Sequence, residues 1–445
     1  MKKERITRKE SRTRLEGYQL SCLLVQVIRR FFPKLCEALN EVRDPRHQSY
    51  ITYSNRVIMV TRILSAIFYI SSMRKASEEF NSSMVIKNIG QMCHEELEEL
   101  PYWETINNYL ERVEPAELQT VVQKMVNHLI RCRRFEEARI QDKYWHLILD
   151  ATKLVGSKKE LDGNYTFCVH NKGKENEYTE YGYYVLEVKL ALREDVYVSI
   201  MSEFIENKDK EYVKQDCERS AAVRVMERIK KSFPRLPICI SGDSLYACAP
   251  FFKACEKYGW KYLVRFKGGS IPTVQEEYES LKKLGKNQRT RIVNGITQVH
   301  DFVNEIDYNG ILLNFAHYSE AESTGETTTF NFLTNLPITQ KNVERIIFFG
   351  RRRWAIENRG FNEQKKHGYY IEHLFSKNCT ATKNHYYLIQ IAHMIAQIMD
   401  AWMKIWSEIK LSKEQRHKRL LESWKTQSVE SAVSDNADAF QIRFE

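Results

Sequence analysis

Glycine and proline are scarce in this chain, at 17 and 9 of 445 residues. That excludes a collagen-like or low-complexity chain, and no long flexible linker is expected. Ten cysteines are scattered with no CxxC pair among them, which argues against a zinc ribbon or finger. Most lie in apolar segments and read as reduced core residues. Twelve histidines form no HExxH. Long apolar runs are missing too. The longest, Ile63 to Met73, is too short to span a bilayer, and the charged N-terminus has no signal-peptide core. The expected compartment is a reducing cytoplasm, with no membrane partner.

What is present is length, charge and periodicity. A chain of 445 residues holds two or three domains with a substantial core. Its net charge of +10 suits a polyanionic partner, or serves plain solubility. Residues 1–16 carry seven Lys or Arg against three Glu, a basic arm useful against phosphates or a solvated tail. Residues 17–140 read as helical. Leu20, Leu23, Leu24, Val27 and Ile28 mark one apolar face, and Val57, Val60, Ile63, Leu64 and Ile67 another. Short helices joined by turns fit a helix-turn-helix-like DNA module, and equally a bundle that touches no DNA.

From residue 144 the period changes. Tyr144–Asp150, Tyr181–Leu192 and Val196–Phe204 read as strands, 213–233 as a helix, then a strand to Asp243, a helix over Ala247–Tyr258 and a strand over Lys261–Phe266. This succession predicts an α/β fold with a mixed sheet flanked by helices over 141–266. Residues 267–340 read as a β-rich insertion of four strands separated by Asn-Gly and Thr-Gly turns. Its aromatics Phe302, Tyr308, Phe315 and Tyr318 read as core. A helix over 342–366 and a buried one over His385–Trp406 fill 341–410, and 411–445 reads as a polar, partly disordered tail.

Three acids stand in unusual contexts. Asp150 ends the apolar run Trp145–Leu149, Asp243 ends Ile238–Gly242, and Glu357 follows the basic stretch Arg351-Arg352-Arg353-Trp354-Ala355-Ile356. A carboxylate at the end of a buried strand is costly unless paired, hydrogen-bonded or bound to metal, although one alone is most often a cap or turn residue. Hard divalent cations take such oxygen ligands. Arg353, Glu357, Phe361 and Lys365 recur every four residues and predict one helical stripe of cations beside an acid. Trp354 reads as a core anchor, and Arg351 and Arg352 as solvating a helix start. Gln215, Asp216 and Glu218 read as favouring the dipole of the helix they open, with a role beside the acids as the minority reading.

Over residues 95–400 the chain resembles the DDE transposases of bacterial insertion sequences, in the branch with a β-rich insertion inside an RNase H-like domain. The likeness rests on Leu100-Pro101-Tyr102-Trp103-Glu104-Thr105-Ile106-Asn107, Leu149-Asp150-Ala151-Thr152, Gly242-Asp243-Ser244-Leu245-Tyr246-Ala247, Thr334-Asn335-Leu336-Pro337 and Arg353-Trp354-Ala355-Ile356-Glu357-Asn358. It implies an RNase H-like mixed sheet core interrupted by the insertion, with an N-terminal helical DNA-binding domain and C-terminal helices. It implies that Asp150, Asp243 and Glu357 are catalytic and hold two Mg²⁺ or Mn²⁺ ions, and that Arg353, Lys365, Arg352 and Trp354 contact DNA. The implied reaction is metal-dependent cleavage at transposon ends and strand transfer into target DNA. The implied partners are those DNAs and further copies of the chain in a synaptic complex, in a bacterial, nucleoid-associated setting. A metal-dependent nuclease without strand transfer and a domesticated DNA-binding protein are the alternatives. The family motif places tyrosine three residues before the arginine and lysine seven after the glutamate. Here those positions hold Gly350 and Gln364, with Phe349 and Lys365 one place away.

Overall fold

The computed structural model describes residues 18–135, 138–207, 214–284, 287–321, 327–403, 405–409 and 411–434. The basic arm 1–16 lies outside the described residues. The chain divides into two compact units, one built from 1–134, 157–164 and 362–445 and the other from 135–156 and 165–361.

The first unit is helical. Among its described residues seven α-helices come first: α1 Leu20–Phe31, α2 Leu35–Asn40, α3 Asn55–Ile67, α4 Met73–Glu79, α5 Ser83–Cys93, α6 Trp103–Leu110 and α7 Pro115–Arg131. Apolar spacing predicts an amphipathic α3, yet every residue of it except Arg56 is buried. A helix enclosed on all sides is the centre of its bundle.

The second unit is built on one sheet. Its strands are β1 Trp145–Ser157, β2 Thr166–His170, β3 Tyr178–Ala191, β4 Tyr197–Ile205, β5 Ile238–Gly242, β6 Lys261–Phe266, β7 Gln288–Val293, β8 Ile296–Tyr308, β9 Ile311–Ala321 and β10 Thr327–Thr334. The order is β2-β3-β1-β5-β6-β10-β9-β8-β7, with β4 also on β3. β1 and β5 run parallel, as do β5 and β6, while β3 and β4 are antiparallel. This is the mixed sheet that the strand succession predicts. β2 escapes sequence reading because it is a short edge strand with one buried residue, Thr166, and no alternation. Helix α8, Glu218–Ser232, is fastened to β4 by Arg224 and Arg228, which bind Glu203 at 2.7 and 2.5 Å. Helix α9 is Ala249–Tyr258.

The insertion is not a detached module. β10 pairs antiparallel with β6, from Asn331 opposite Phe266 to Thr334 opposite Leu263, so its strands prolong the core sheet. An additional helix, α10 Pro272–Lys282, lies against it, with Tyr278 stacked on Phe315 at 3.9 Å. Phe302, Phe315 and Tyr318 are buried, as expected. Helix α11, Val343–Arg351, seals this sheet with Val343, Ile346, Ile347 and Phe349 against Phe302, Tyr318 and Phe332.

The chain then returns to the first unit through α12 Asn362–Lys366, α13 Cys379–Trp402, α14 Lys413–Thr426 and α15 Glu430–Ser434. α13 starts earlier than the apolar pattern predicts because Asn378 caps it, accepting from Ala381 N at 2.9 Å. The expected polar tail is helical as far as it is described. Ser412 and Gln415 form a capping box for α14, and His417, Leu420 and Trp424 are buried along one side. Only that narrow stripe is apolar, so average polarity hides it.

Candidate active site

The register of β1 and β5 sets the first two acids side by side. Ile148 lies opposite Ser241, and two residues further along the parallel pair Asp150 reaches the level of Asp243. Neighbouring strands are about 4.8 Å apart. Asp150 does not end its strand, as the apolar run predicts; β1 continues to Ser157. It is β5 that stops, at Gly242, and Asp150 stands on β1 at that notch. Both carboxylates are half-buried. Asp243 caps the short turn Ser244–Tyr246, its Oδ1 accepting from Leu245 N at 2.9 Å. Asp150 Oδ1 accepts from Ala151 N at 3.1 Å.

A third acid enters from α8. The Glu218 carboxylate accepts the hydrogen bond of the Tyr246 hydroxyl, and Arg219 Nε donates to Leu245 O at 3.1 Å. The first turn of α8 is thus tied twice to the segment that carries Asp243. Gly242 makes this possible: a Cβ there would meet the Tyr246 ring at 2.5 Å. Gln215 and Asp216 have structural partners. Gln215 binds the backbone of Phe167, and Asp216 pairs with Arg224 at 2.6 Å. Only Glu218 of that trio faces the aspartates.

Charge follows from this crowding. Burial pushes the Asp150 carboxyl up to about 7; the Arg353 guanidinium opposes this, while the negative charges of Glu218 and Asp243 add to it. Burial also raises Glu218, reinforced by Asp243 and opposed by the Tyr246 bond. Three acids gathered in this way favour a cation among them.

The Glu357 segment packs on the same face of the sheet. Ile148 and Asp150 are two apart on β1 and share a face. Ile356 and Phe361 bury themselves against Ile148, Ala191 and Tyr197. Arg353 Nη1 lies 3.6 Å from Asp150 Oδ2. The predicted continuous helix and its four-residue stripe do not occur. α11 ends at Arg351, a turn follows, and Ile356–Phe361 form a π-helix. A π-turn is wider by one residue, so positions four apart no longer align. Glu357 is exposed while Phe361 is buried.

The proposed DNA contacts divide. Trp354 is 58% exposed, contrary to the expected core anchor. Arg352 is engaged with Arg193 O at 2.6 Å and Tyr197 Oη at 3.2 Å. Lys365, on α12 of the first unit, pairs with Glu372 at 2.9 Å. The tyrosine and lysine positions of the family motif have physical occupants. Gly350 abuts the Phe332 ring, which a Cβ would meet at 2.6 Å. Gln364 is buried and bonds Gln390 and His393 at 2.9 and 3.0 Å. Among the described residues no three His, Cys, Asp or Glu side chains stand as a ready metal cage.

Residues 201–395 match the family model described as "Transposase DDE domain". Over these residues the chain is similar to a transposase DDE domain. The match takes in Asp243 and Glu357, and Asp150 precedes it. No curated protein matches the chain. Among solved structures, one similar chain is from a "piggyBac transposase synaptic complex with hairpin DNA", at 10% identity and a TM-score of 0.42, over 94% of this chain and 83% of that one. All ten cysteines are free. Among its described residues no helix is long and apolar enough to cross a membrane.

Proposed function

We propose that this protein is a cut-and-paste DNA transposase, cleaving at transposon ends and joining the freed ends to target DNA. The observation that carries the reading is Asp150 beside Asp243 on adjacent parallel strands, with Arg353 against Asp150. The DDE match and the net charge of +10 support it. Two Mg²⁺ or Mn²⁺ ions suit this donor set. Mg²⁺ is commonly held by one or two carboxylates, with water and substrate phosphates completing its shell. The like charges around Asp150 supply the reason to bind a cation there. When bound, such ions neutralise developing charge on the phosphate oxygens.

The residues then take distinct roles. Asp150 and Asp243 hold the metal from the sheet. Glu357 contributes from the π-helix and is exposed to solvent. Arg353 offsets the charge of Asp150 until metal arrives and guides the scissile phosphate when DNA arrives; a guanidinium can bridge two phosphate oxygens. Trp354 offers an uncovered ring for stacking on a base. Arg352 acts chiefly by bracing the turn before the π-helix, and Lys365 would exchange Glu372 for a phosphate. Helices within 17–140 read the transposon end, with the 1–16 arm adding sequence-independent affinity, in an assembly of two or more copies.

The test is single-turnover cleavage of end-labelled duplex bearing the flanking inverted repeats. Asp150→Ala, Asp243→Ala and Glu357→Ala should each abolish cutting while DNA binding persists. Cutting by Asp243→Ala in Mg²⁺ would overturn the reading. Strand-transfer products separate a transposase from a nuclease that only nicks.

A further inference from the structure

A second candidate site lies within the helical unit, which holds none of the three acids. A cavity of about 360 Å³ opens between α3, α4, α6 and α13, lined among others by Arg62, Arg74, Trp103, His373 and His385. No aspartate or glutamate lines it. Its volume lies in the range of small-molecule pockets.

Arg62 is the anomaly. It is 5% exposed, and among the described residues its guanidinium bonds to neutral partners only: Ser65 Oγ at 2.8 Å and the His385 ring at 3.3 Å. His385 is itself buried, stacked on Phe375 at 4.0 Å, and burial together with Arg62 holds its ring well below the usual imidazole range, hence uncharged. A buried cation without an anion is expensive. The guanidinium has five N–H groups in a fork matched to phosphate, and these neighbours use only part of them. Arg74 stands at the same cavity with its guanidinium 5.7 Å from the centre of the Trp103 ring. Two arginines and a stackable aromatic at one acid-free cavity are the complement of a nucleotide: an anion for the guanidinium groups and a flat base for the rings.

We propose that this cavity binds a phosphate group of a nucleotide, with Arg62 as the buried anchor and Arg74 at the mouth. The proposal goes beyond the catalytic reading and stands whether or not Asp150 and Asp243 bind metal.

Calorimetric titration of the full chain with inorganic phosphate, with dAMP and with a short single-stranded oligonucleotide tests it. The wild type should bind at least one of them saturably. Binding of phosphate or dAMP points to a free ligand; binding of the oligonucleotide alone points to a phosphate within a strand. Arg62→Met, which removes the buried charge and keeps much of the volume, should abolish this binding. Arg74→Gln, at an exposed position, should weaken it about tenfold, the usual scale for losing one charge-assisted bond. If Arg62→Met does not fold, Arg74→Gln decides alone. No saturable binding of any probe, or binding unchanged in the variants that fold, overturns the proposal.

Discussion

Asp150 and Asp243 differ in what holds them, and this defines what Glu218 does. Asp243 is fixed by its cap bond to Leu245, and that turn is in turn fixed by Glu218 through Tyr246. Glu218 therefore both orients the Asp243 turn and adds negative charge beside Asp150. Loss of a partner that orients a metal-binding carboxylate typically costs about 10–100-fold in metal affinity or activity. Glu218→Gln should shift the Mg²⁺ midpoint of nicking upward by about tenfold, with recovery at high Mg²⁺. Tyr246→Phe, which keeps the charge and loses the tether, should shift it in the same direction. An unmoved midpoint in both variants would leave Glu218 with a helix-dipole role only. Sequence reading reached the two aspartates because each follows a largely apolar run. It could not rank Glu218 above its neighbours Gln215 and Asp216, because an acid in a first helical turn already has a sufficient local reason.

At the scale of elements, the segment bearing Glu357 departs most from its periodic pattern. A one-residue-wider π-turn over Ile356–Phe361 accompanies a lysine that stands one place later than the family motif has it. Periodicity assumes a constant 3.6 residues per turn, so a π-segment is illegible to it. Gly350 shows how packing overrides propensity. Alanine would favour helix α11 by about 1 kcal/mol, yet its Cβ would press on the buried Phe332 ring, and overpacking costs about 1–3 kcal/mol. Gly350→Ala should therefore lower the denaturant midpoint; an increase would mean that β10 yields. α12 offers a pH test. Burial alone would raise Glu363, but bonds to His393 and Lys413 hold it down to about 2. Its unfolded value is about 4.3, so the ionised form stabilises the fold above that pH. The contribution, on the order of 3 kcal/mol, should fade as pH falls from about 5 to 2. Melting temperature against pH should show this acid limb in the wild type and a flatter one in Glu363→Gln. Equal limbs would remove Glu363 from the account.

Over the whole molecule, a helical unit assembled from both ends of the chain accompanies a sheet unit that holds all three acids of the motif. The alternation of strands and helices over 141–266 was legible, β2 apart, because its other strands are largely apolar and its helices amphipathic. The sheet's growth through β6 and β10 was not, because pairing between distant strands leaves no local mark. The same holds for α14, whose burial depends on partners about 340–400 residues away, with Asn88 binding Trp424 O and Ser21 N binding Ser423 Oγ. The central claim is that β1 and β5 hold a divalent cation between Asp150 and Asp243. Manganese titration followed by electron paramagnetic resonance, on the wild type and on Asp150→Asn and Asp243→Asn, tests it without DNA. The account predicts saturable Mn²⁺ binding in the wild type and a loss of at least about tenfold in either variant. Mn²⁺ binding of equal strength in all three proteins would contradict it.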